Sequence, residues 1–463
     1  MFEDLRAKLT ERLGTKAILA DREILAPYLR EWRGKFFGNT PFAVLPATTE
    51  ETAAAVKLCA EAGAKITTQG GNTGLVGGQT PDGEVLISLK RMNRIREIDP
   101  ANDSLVAEGG AILADVQHAA AESNRLFPLS LASEGSATIG GLISTNAGGV
   151  HVLRYGMMRD LVLGIEAVLP NGEVFAGLKA LRKDNTGYDL KQLFIGGEGT
   201  LGVVTAASLK LFPRPGARET VLAGAASAGR ALDLLHRMKA ATGAVSAFEV
   251  MNRLSMDLVV KNIPNARNPL PAETAFGVLI EFEAAHAMGL RDGIENALAG
   301  ALQEGEIDTA LFAENAGQAR DFWALREHIA AAHRPEGAQS SHDISVPVSK
   351  TPDFLARADK RMQALCPGAR IVAFGHMGDG NFHYTIMQPS GGDAGAFPAA
   401  ALTQAVNEIA AGLGGSISAE HGIGVLRRDD LVQFKDGESL ALMRAIKRAL
   451  DPANVMNPRV LFT

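Results

Sequence analysis

Three glycine-rich stretches, far apart in the chain, constrain its fold more than any other feature. The first is Gln69-Gly70-Gly71-Asn72-Thr73-Gly74-Leu75-Val76-Gly77-Gly78, just after the strand-like run Lys65–Thr68. The second runs from Gly135-Ser136-Ala137-Thr138-Ile139-Gly140-Gly141 to Thr145-Asn146-Ala147-Gly148-Gly149. The third is Gly196-Gly197-Glu198-Gly199-Thr200-Leu201-Gly202. Glycine admits φ > 0 and lets backbone approach a ligand closely, so the N–H groups of such loops suit a pyrophosphate. A tight turn explains one such loop. Three, each interleaved with Ser, Thr or Asn, call for a ligand. None has the GxGxxG spacing opening a helix in a short βαβ unit, which disfavours a Rossmann site. GxxxxGK[ST] is absent, which excludes a P-loop.

The chain has 463 residues, the length of two or three domains. Its 46% hydrophobic and 21% charged residues are the balance of a globular enzyme, and its net charge of −6 gives nucleic acid no electrostatic hold. Cys59 and Cys366, two buried thiols by expectation, form no CxxC, so neither a disulfide framework nor a thiolate metal site is expected. The N-terminus is amphipathic and charged, unlike a signal peptide, and no window of 18 apolar residues predicts a membrane span. These features predict a cytoplasmic location. A homodimer is expected on base rates.

Strand and helix signals alternate in the first half: strands at Pro41–Pro46, Lys65–Thr68, Val85–Leu89 and Ser104–Glu108, helices at Glu50–Ala62 and Ala114–Ser123. Thr48 and Thr49 are available as caps. Phe212-Pro213-Arg214-Pro215-Gly216 ends this unit. Strands at Ala247–Val250 and Phe276–Phe282 then alternate with helices at Ala231–Ala240, Ala316–Ala332 and Pro352–Leu365, and Ala399–Ala411 is a further helix. The second unit reads as helices on an antiparallel sheet, and a turn-rich tail, Asp451–Pro458, follows it.

His376-Met377-Gly378-Asp379-Gly380-Asn381-Phe382-His383 lies between apolar runs. Asp-Gly signals a two-residue hairpin turn. Such a turn pairs Gly378 with Asn381, Met377 with Phe382 and His376 with His383. Opposed Cβ atoms lie ~5 Å apart, close enough for two imidazoles to share a metal. Two partly buried histidines bonded to backbone would account for the same pattern without one. Glu420, in Ser418-Ala419-Glu420-His421-Gly422-Ile423-Gly424, offers a carboxylate for a His₂-carboxylate site suited to Zn²⁺ and also to Mn²⁺ or Fe²⁺, with His421 beside it as a base. HExxH is absent, which argues against metalloprotease chemistry. Arg326 sits in Trp323-Ala324-Leu325-Arg326-Glu327-His328, and neither Phe322 nor Ala330 gives it an i±4 carboxylate partner.

The order of the loops resembles the vanillyl-alcohol-oxidase-type FAD-binding family. Gln69–Gly74, Arg154-Tyr155-Gly156 and the run Arg182–Gly196 are similar to its D-lactate and D-2-hydroxyglutarate dehydrogenase branch. The resemblance implies an α+β architecture: a two-subdomain FAD-binding domain over residues 1–215, an α/β cap domain with an antiparallel sheet over 216–415, and a C-terminal segment, 416–463, returning to the flavin domain. It implies that Gly70, Gly71, Asn72, Thr73, Gly74 and Gly78 line the pyrophosphate. Ser133, Gly135, Ser136, Thr138, Gly140, Gly141, Thr145, Asn146 and Gly149 would lie along the cofactor. Gly199, Gly202 and Val204 would approach the adenine, and Asn457 would return from the tail.

No His lies between residues 60 and 117, His118 falls in a helix and His151 just past a loop, so the FAD is expected to be non-covalent. By the same resemblance His376, His383 and Glu420 hold the metal, His421 acts on the substrate, and Arg326 grips a distal carboxylate. Asn381 is expected to hydrogen-bond the substrate carboxylate. The reaction implied is oxidation of a small-molecule D-2-hydroxy acid, first D-2-hydroxyglutarate, with hydride passing to flavin N5 and electrons then to an electron-transfer flavoprotein or a quinone. Ala330 and Ser341 stand where the D-2-hydroxyglutarate pattern has a hydroxyl residue and a Lys, which keeps D-lactate, D-malate and glycolate as alternatives. A flavin oxidase using O₂ and a non-catalytic flavin subunit are the remaining readings. The latter has no need of His376, His383, Glu420 and His421.

Overall fold

The computed structural model describes residues 1–462 and divides into two compact units. One gathers residues 1–149, 156–214 and the chain from Glu420 onward; the other gathers residues 150–155 and 215–419. The second unit thus runs past the expected boundary at 415. Ser416 pairs antiparallel with Ser345, and the Ala419 N–H donates to the Asp343 carbonyl at 3.2 Å, which keeps this stretch on the sheet.

In the first unit a four-stranded sheet runs in the order Ile18–Leu19, Ala43–Val44, Val85–Ser88, Ile66–Gln69, its last three strands parallel. Helix Thr49–Glu61 begins where Thr48 Oγ1 accepts the Glu51 N–H at 3.2 Å, and it buries Val56 and Cys59 against Ile66 and Ile87. A five-stranded antiparallel sheet follows in the order Ile95–Asp99, Ser104–Glu108, Val203–Lys210, Val162–Val168, Val174–Gly177. The tail closes the first sheet: Met456 bridges Ile66, and Asn457 Oδ1 accepts the Thr68 N–H at 2.9 Å. Cys366 is only half-buried, unlike Cys59, because it ends a helix at the surface. No helix among the described residues is long and apolar enough to cross a membrane.

The second unit is built on a seven-stranded antiparallel sheet. Its order is Thr309–Phe312, Ala217–Ala225, Phe276–Ala284, Val245–Asn252, Arg370–His376, Asn381–Met387, Gln339–Ser345. Strand side chains alternate between faces. One set, including Val221, Phe248, Val250, Ile280, Phe382, Tyr384 and Ile344, packs under helices Ala228–Thr242, Leu290–Gln303, Thr351–Leu365 and Ala399–Gly412. The other set includes Met251, Leu279, Val372 and Phe374 and meets helices Arg253–Asn262 and Ala316–Glu327. The single helix expected over 316–332 is two pieces, the second Ile329–Ala332. They meet at His328, whose ψ of −6° lies far from the helical value of about −42°. The break lets both Leu325 and Ile329 reach the core.

Candidate active site

The first two glycine loops of the first unit pack backbone against backbone. A Cβ on Gly71 would stand 1.9 Å from the Ser136 carbonyl oxygen, so any side chain there would force the loops apart. Among the described residues, the backbone N–H groups from Gly70 to Val76 form no hydrogen bond within the chain. Gln79 shapes this loop from behind, its amide donating to the Gly74 carbonyl at 2.9 Å. Thr138 Oγ1 is buried without a partner beside Gly70. A run of open donors plus an orphaned hydroxyl is the chemistry a pyrophosphate requires, so these residues fit FAD. The other expected cofactor residues lie in the same unit. Thr145 Oγ1 donates to its own helix at Gly141 O, and Asn146 Oδ1 accepts the Arg159 N–H at 2.9 Å. Asn457 uses both ends of its amide on Thr68 N–H and Glu198 O, so its side chain fixes the loop around Gly199. Val204 is buried, with its carbonyl against Gly140. His118 is exposed beside Glu122, and His151 belongs to the second unit, where its Nε2 lies 2.9 Å from Glu281.

The loop bearing Glu420 and His421 is stitched to the flavin loops. Glu198 Oε1 accepts the Ile423 N–H at 2.8 Å and Oε2 the Gly424 N–H at 2.7 Å. The Val76 carbonyl accepts the N–H groups of Val425 and Leu426 at 3.0 and 3.2 Å. Gly424 has φ +54°, and a Cβ there would meet Val76 O at 2.3 Å. Burial lifts the Glu198 carboxyl to about 7, against two backbone N–H groups that favour its anion. The sequence signal for Glu198 was only a charged residue inside a glycine loop.

The second unit carries His376, His383 and Asn381 on one face of its sheet. Two adjacent cross-strand rows hold them. Glu249, His376, Asn381 and Ser345 form one row, and Met251, Phe374, His383 and Asp343 the next. Each histidine therefore has a carboxylate directly across a strand. The expected two-residue turn is replaced by the four-residue loop Met377–Gly380, so His376 opposes Asn381 rather than His383. The loop closes helically, Gly380 N–H donating to His376 O at 3.1 Å, and Gly380 takes φ +83° where a Cβ would stand 2.0 Å from Val346 O. The shift is two residues, an even number, so both histidines stay on one face. Their rings are diagonal neighbours with centroids 6.0 Å apart.

Glu249, which sequence reasoning missed, is fully buried between two partners. Its Oε1 lies 2.6 Å from His376 Nδ1 and its Oε2 accepts Arg326 Nε–H at 2.7 Å. Burial works to raise this carboxyl, but its contacts with His376 and Arg326 outweigh burial and hold it well below the usual carboxylate range. Arg326 therefore has a carboxylate partner after all, supplied across the sheet rather than along its helix. It is buried and stacks over Phe374 with 4.6 Å to the ring centroid. Asn381 corrects another expectation. Its amide N–H groups donate to Asp343 Oδ1 at 2.9 Å and Ile344 O at 2.8 Å, which leaves it an acceptor, Oδ1, and no donor for a substrate carboxylate. Asp343 Oδ1 also lies 3.9 Å from His383 Nδ1. Of the two departures from the diacid pattern, Ala330 is exposed and Ser341 accepts a hydrogen bond from Thr385 Oγ1 at 3.1 Å.

This fold and its open cradle define an FAD-linked oxidoreductase. The domain described as "FAD binding domain" matches residues 40–176, and that described as "FAD linked oxidases, C-terminal domain" matches residues 214–461. FAD is accordingly its cofactor. The fold is that of p-cresol methylhydroxylase, with a TM-score of 0.78 at 17% identity over 99% of this chain and 96% of that one. Alkyldihydroxyacetonephosphate synthase shares it at a TM-score of 0.72 and 17% identity, over 99% and 85%.

The chain belongs to the D-2-hydroxyglutarate dehydrogenase family. It is 36% identical to the Arabidopsis thaliana D-2-hydroxyglutarate dehydrogenase, over 99% of this chain and 82% of that one, and 37% identical to the Bos taurus enzyme over 98% and 82%. The D-2-hydroxyglutarate–pyruvate transhydrogenase of Saccharomyces cerevisiae is 33% identical over 94% and 89%. The expected cytoplasmic location is overturned, since the Arabidopsis and Bos relatives are named as mitochondrial enzymes. Scarce cysteines speak to redox conditions, which more than one compartment shares.

Proposed function

We propose that this chain is an FAD-dependent dehydrogenase that oxidises D-2-hydroxyglutarate to the 2-oxo acid. The observation that carries this is the 36% identity, over nearly the whole chain, to an enzyme named for that substrate. The site chemistry supports it. Bound FAD supplies the acceptor for the C2 hydride at N5. The chain's own residues bind, orient and deprotonate. Arg326, buried and held by Glu249 through Nε, keeps its terminal nitrogens for the substrate's distal carboxylate, a task suited to a planar guanidinium. His421 takes the hydroxyl proton as general base. His376, His383 and Glu420 are the ligands proposed for a divalent metal. With Nδ1 engaged by Glu249, the ligand nitrogen of His376 is Nε2. Two imidazoles and a carboxylate suit Zn²⁺, and a metal held there supplies a Lewis acid that lowers the pKa of the substrate hydroxyl. The FAD is proposed to be non-covalent, and an electron-transfer flavoprotein or a quinone is proposed as the acceptor.

The test is anaerobic flavin reduction across a panel of D- and L-2-hydroxy acids. Rapid bleaching by D-2-hydroxyglutarate with slow bleaching by D-lactate, D-malate and glycolate is expected. Equal bleaching by the monoacids would overturn the diacid assignment. Denaturation should release all yellow colour to the supernatant, and colour in the pellet would refute non-covalent binding. Dialysis against EDTA should abolish bleaching while the flavin stays bound; unchanged bleaching would refute the metal's role.

A further inference from the structure

The proposed site includes one buried carboxylate that neither ligates the metal nor binds substrate. Glu249 touches neither a flavin loop nor any residue assigned to bind substrate directly other than Arg326, yet it is a wholly buried carboxylate in mid-sheet. A carboxylate in that position is costly unless both oxygens are engaged. Both are engaged, and by two residues with different tasks. Oε1 lies 2.6 Å from Nδ1 of His376, its direct cross-strand neighbour. Oε2 receives Nε–H of Arg326, which arrives from helix Ala316–Glu327 at 2.7 Å.

Each contact has a directional consequence. A carboxylate at Nδ1 holds the Nδ1–H tautomer and fixes the ring plane, which aims the Nε2 lone pair outward from the sheet. A carboxylate at Nε takes the guanidinium from its side, so the two terminal nitrogens remain for a second, planar ligand. Phe374, next but one to His376 on the same strand face, closes the guanidinium from below. The two carboxylate oxygens belong to one rigid plane, so the positions of His376 and Arg326 are set together.

We propose that Glu249 is a positioning residue for both the metal and the substrate: it aims His376 at the metal and Arg326 at the substrate's distal carboxylate, and so couples metal retention to the preference for a diacid. This rests on the proposed role of His376 as a metal ligand. Removing the anion frees His376 to change tautomer and Arg326 to rotate about Cγ–Cδ. Both effects follow from one substitution of nearly equal volume.

The test uses holoenzyme with Glu249→Gln, and Glu249→Asp as a second variant that keeps the charge but withdraws the carboxylate by one methylene. Zn²⁺ affinity of the EDTA-stripped proteins is measured by competition with a chromophoric chelator, with FAD content and melting temperature as checks on folding. Affinity should fall about 10- to 100-fold in Glu249→Gln, and less in Glu249→Asp. In Zn²⁺-saturated enzyme, the ratio of kcat/KM for D-2-hydroxyglutarate to that for D-lactate should fall toward one, chiefly through KM for the diacid. Unchanged Zn²⁺ affinity in a folded variant overturns the proposal, as does weakened affinity with an unchanged substrate ratio. Should Glu249→Gln fail to fold, the same readings in Glu249→Asp decide. Wild-type protein that takes up no Zn²⁺ would instead overturn the metal reading itself, a separate outcome.

Discussion

The carboxylate of Glu198 receives the backbone N–H of Gly424 at 2.7 Å, tying the third glycine loop to the segment that bears His421. Burial pushes its carboxyl up to about 7, from an ordinary 4.5. The fold therefore retains a proton there that the unfolded chain releases. Stability from this group is greatest below pH 4.5 and declines as pH rises through 7, by roughly 3 kcal/mol in all. Glu198→Gln removes this titration. The stability advantage of wild type over variant should shrink between pH 5 and 8 in denaturant melts, and parallel curves would refute the assignment. The variant should also reduce its flavin more slowly, because an amide N–H₂ then faces one of two backbone donors.

Gly71 and Gly135 offer a contrast. Gly71→Ala places a methyl 1.9 Å from Ser136 O, whereas nothing lies within 4 Å of a Cβ at Gly135. Gly71→Ala should cost about 1–3 kcal/mol and yield colourless protein. Gly135→Ala should melt as wild type does and lose only FAD affinity. Flavin content and melting temperature, measured together, separate the two.

Thr138→Val tests the orphaned hydroxyl. Replacing an unpartnered buried hydroxyl by methyl leaves the apoprotein no less stable. FAD affinity should drop by about 1 kcal/mol, roughly fivefold, in a fluorescence titration. A stability loss without an affinity loss would mean that Thr138 serves packing alone.

Arg326→Ala should raise KM for D-2-hydroxyglutarate far more than for D-lactate. It also strands the buried Glu249 carboxylate, so a stability loss of about 3–5 kcal/mol is expected alongside. A uniform loss over both substrates would remove Arg326 from the distal-carboxylate grip.

The flavin half was legible because its signals are local. Glycine loops, the Thr48 cap and the strand runs depend on near neighbours in sequence, and the observed strand Ser104–Glu108 matches its expected limits. The second unit depends on pairing between distant strands. Asp379-Gly380 advertises a turn, but the Gly380 carbonyl accepts the Val346 N–H at 3.1 Å, and this tertiary contact selects a wider loop. Arg326 looked unpaired because its partner lies 77 residues away, at Glu249. Glu249 itself carries no local mark: within Val245–Asn252 it is one of three polar residues, with Ser246 and Asn252, in an otherwise apolar strand.

The parallel bridge between Ile66 and Met456, beside the Asn457–Thr68 bond, has a consequence in time. The partners are separated by almost the entire chain. A ribosome adding about 5–20 residues per second finishes the second half of this contact tens of seconds after the first. Until then the edge strand Ile66–Gln69 and the nascent glycine loop wait without their closing segment, while residues 215–419 are already available to fold as a unit. The nucleotide-binding half, begun before the second unit, is thus completed after it.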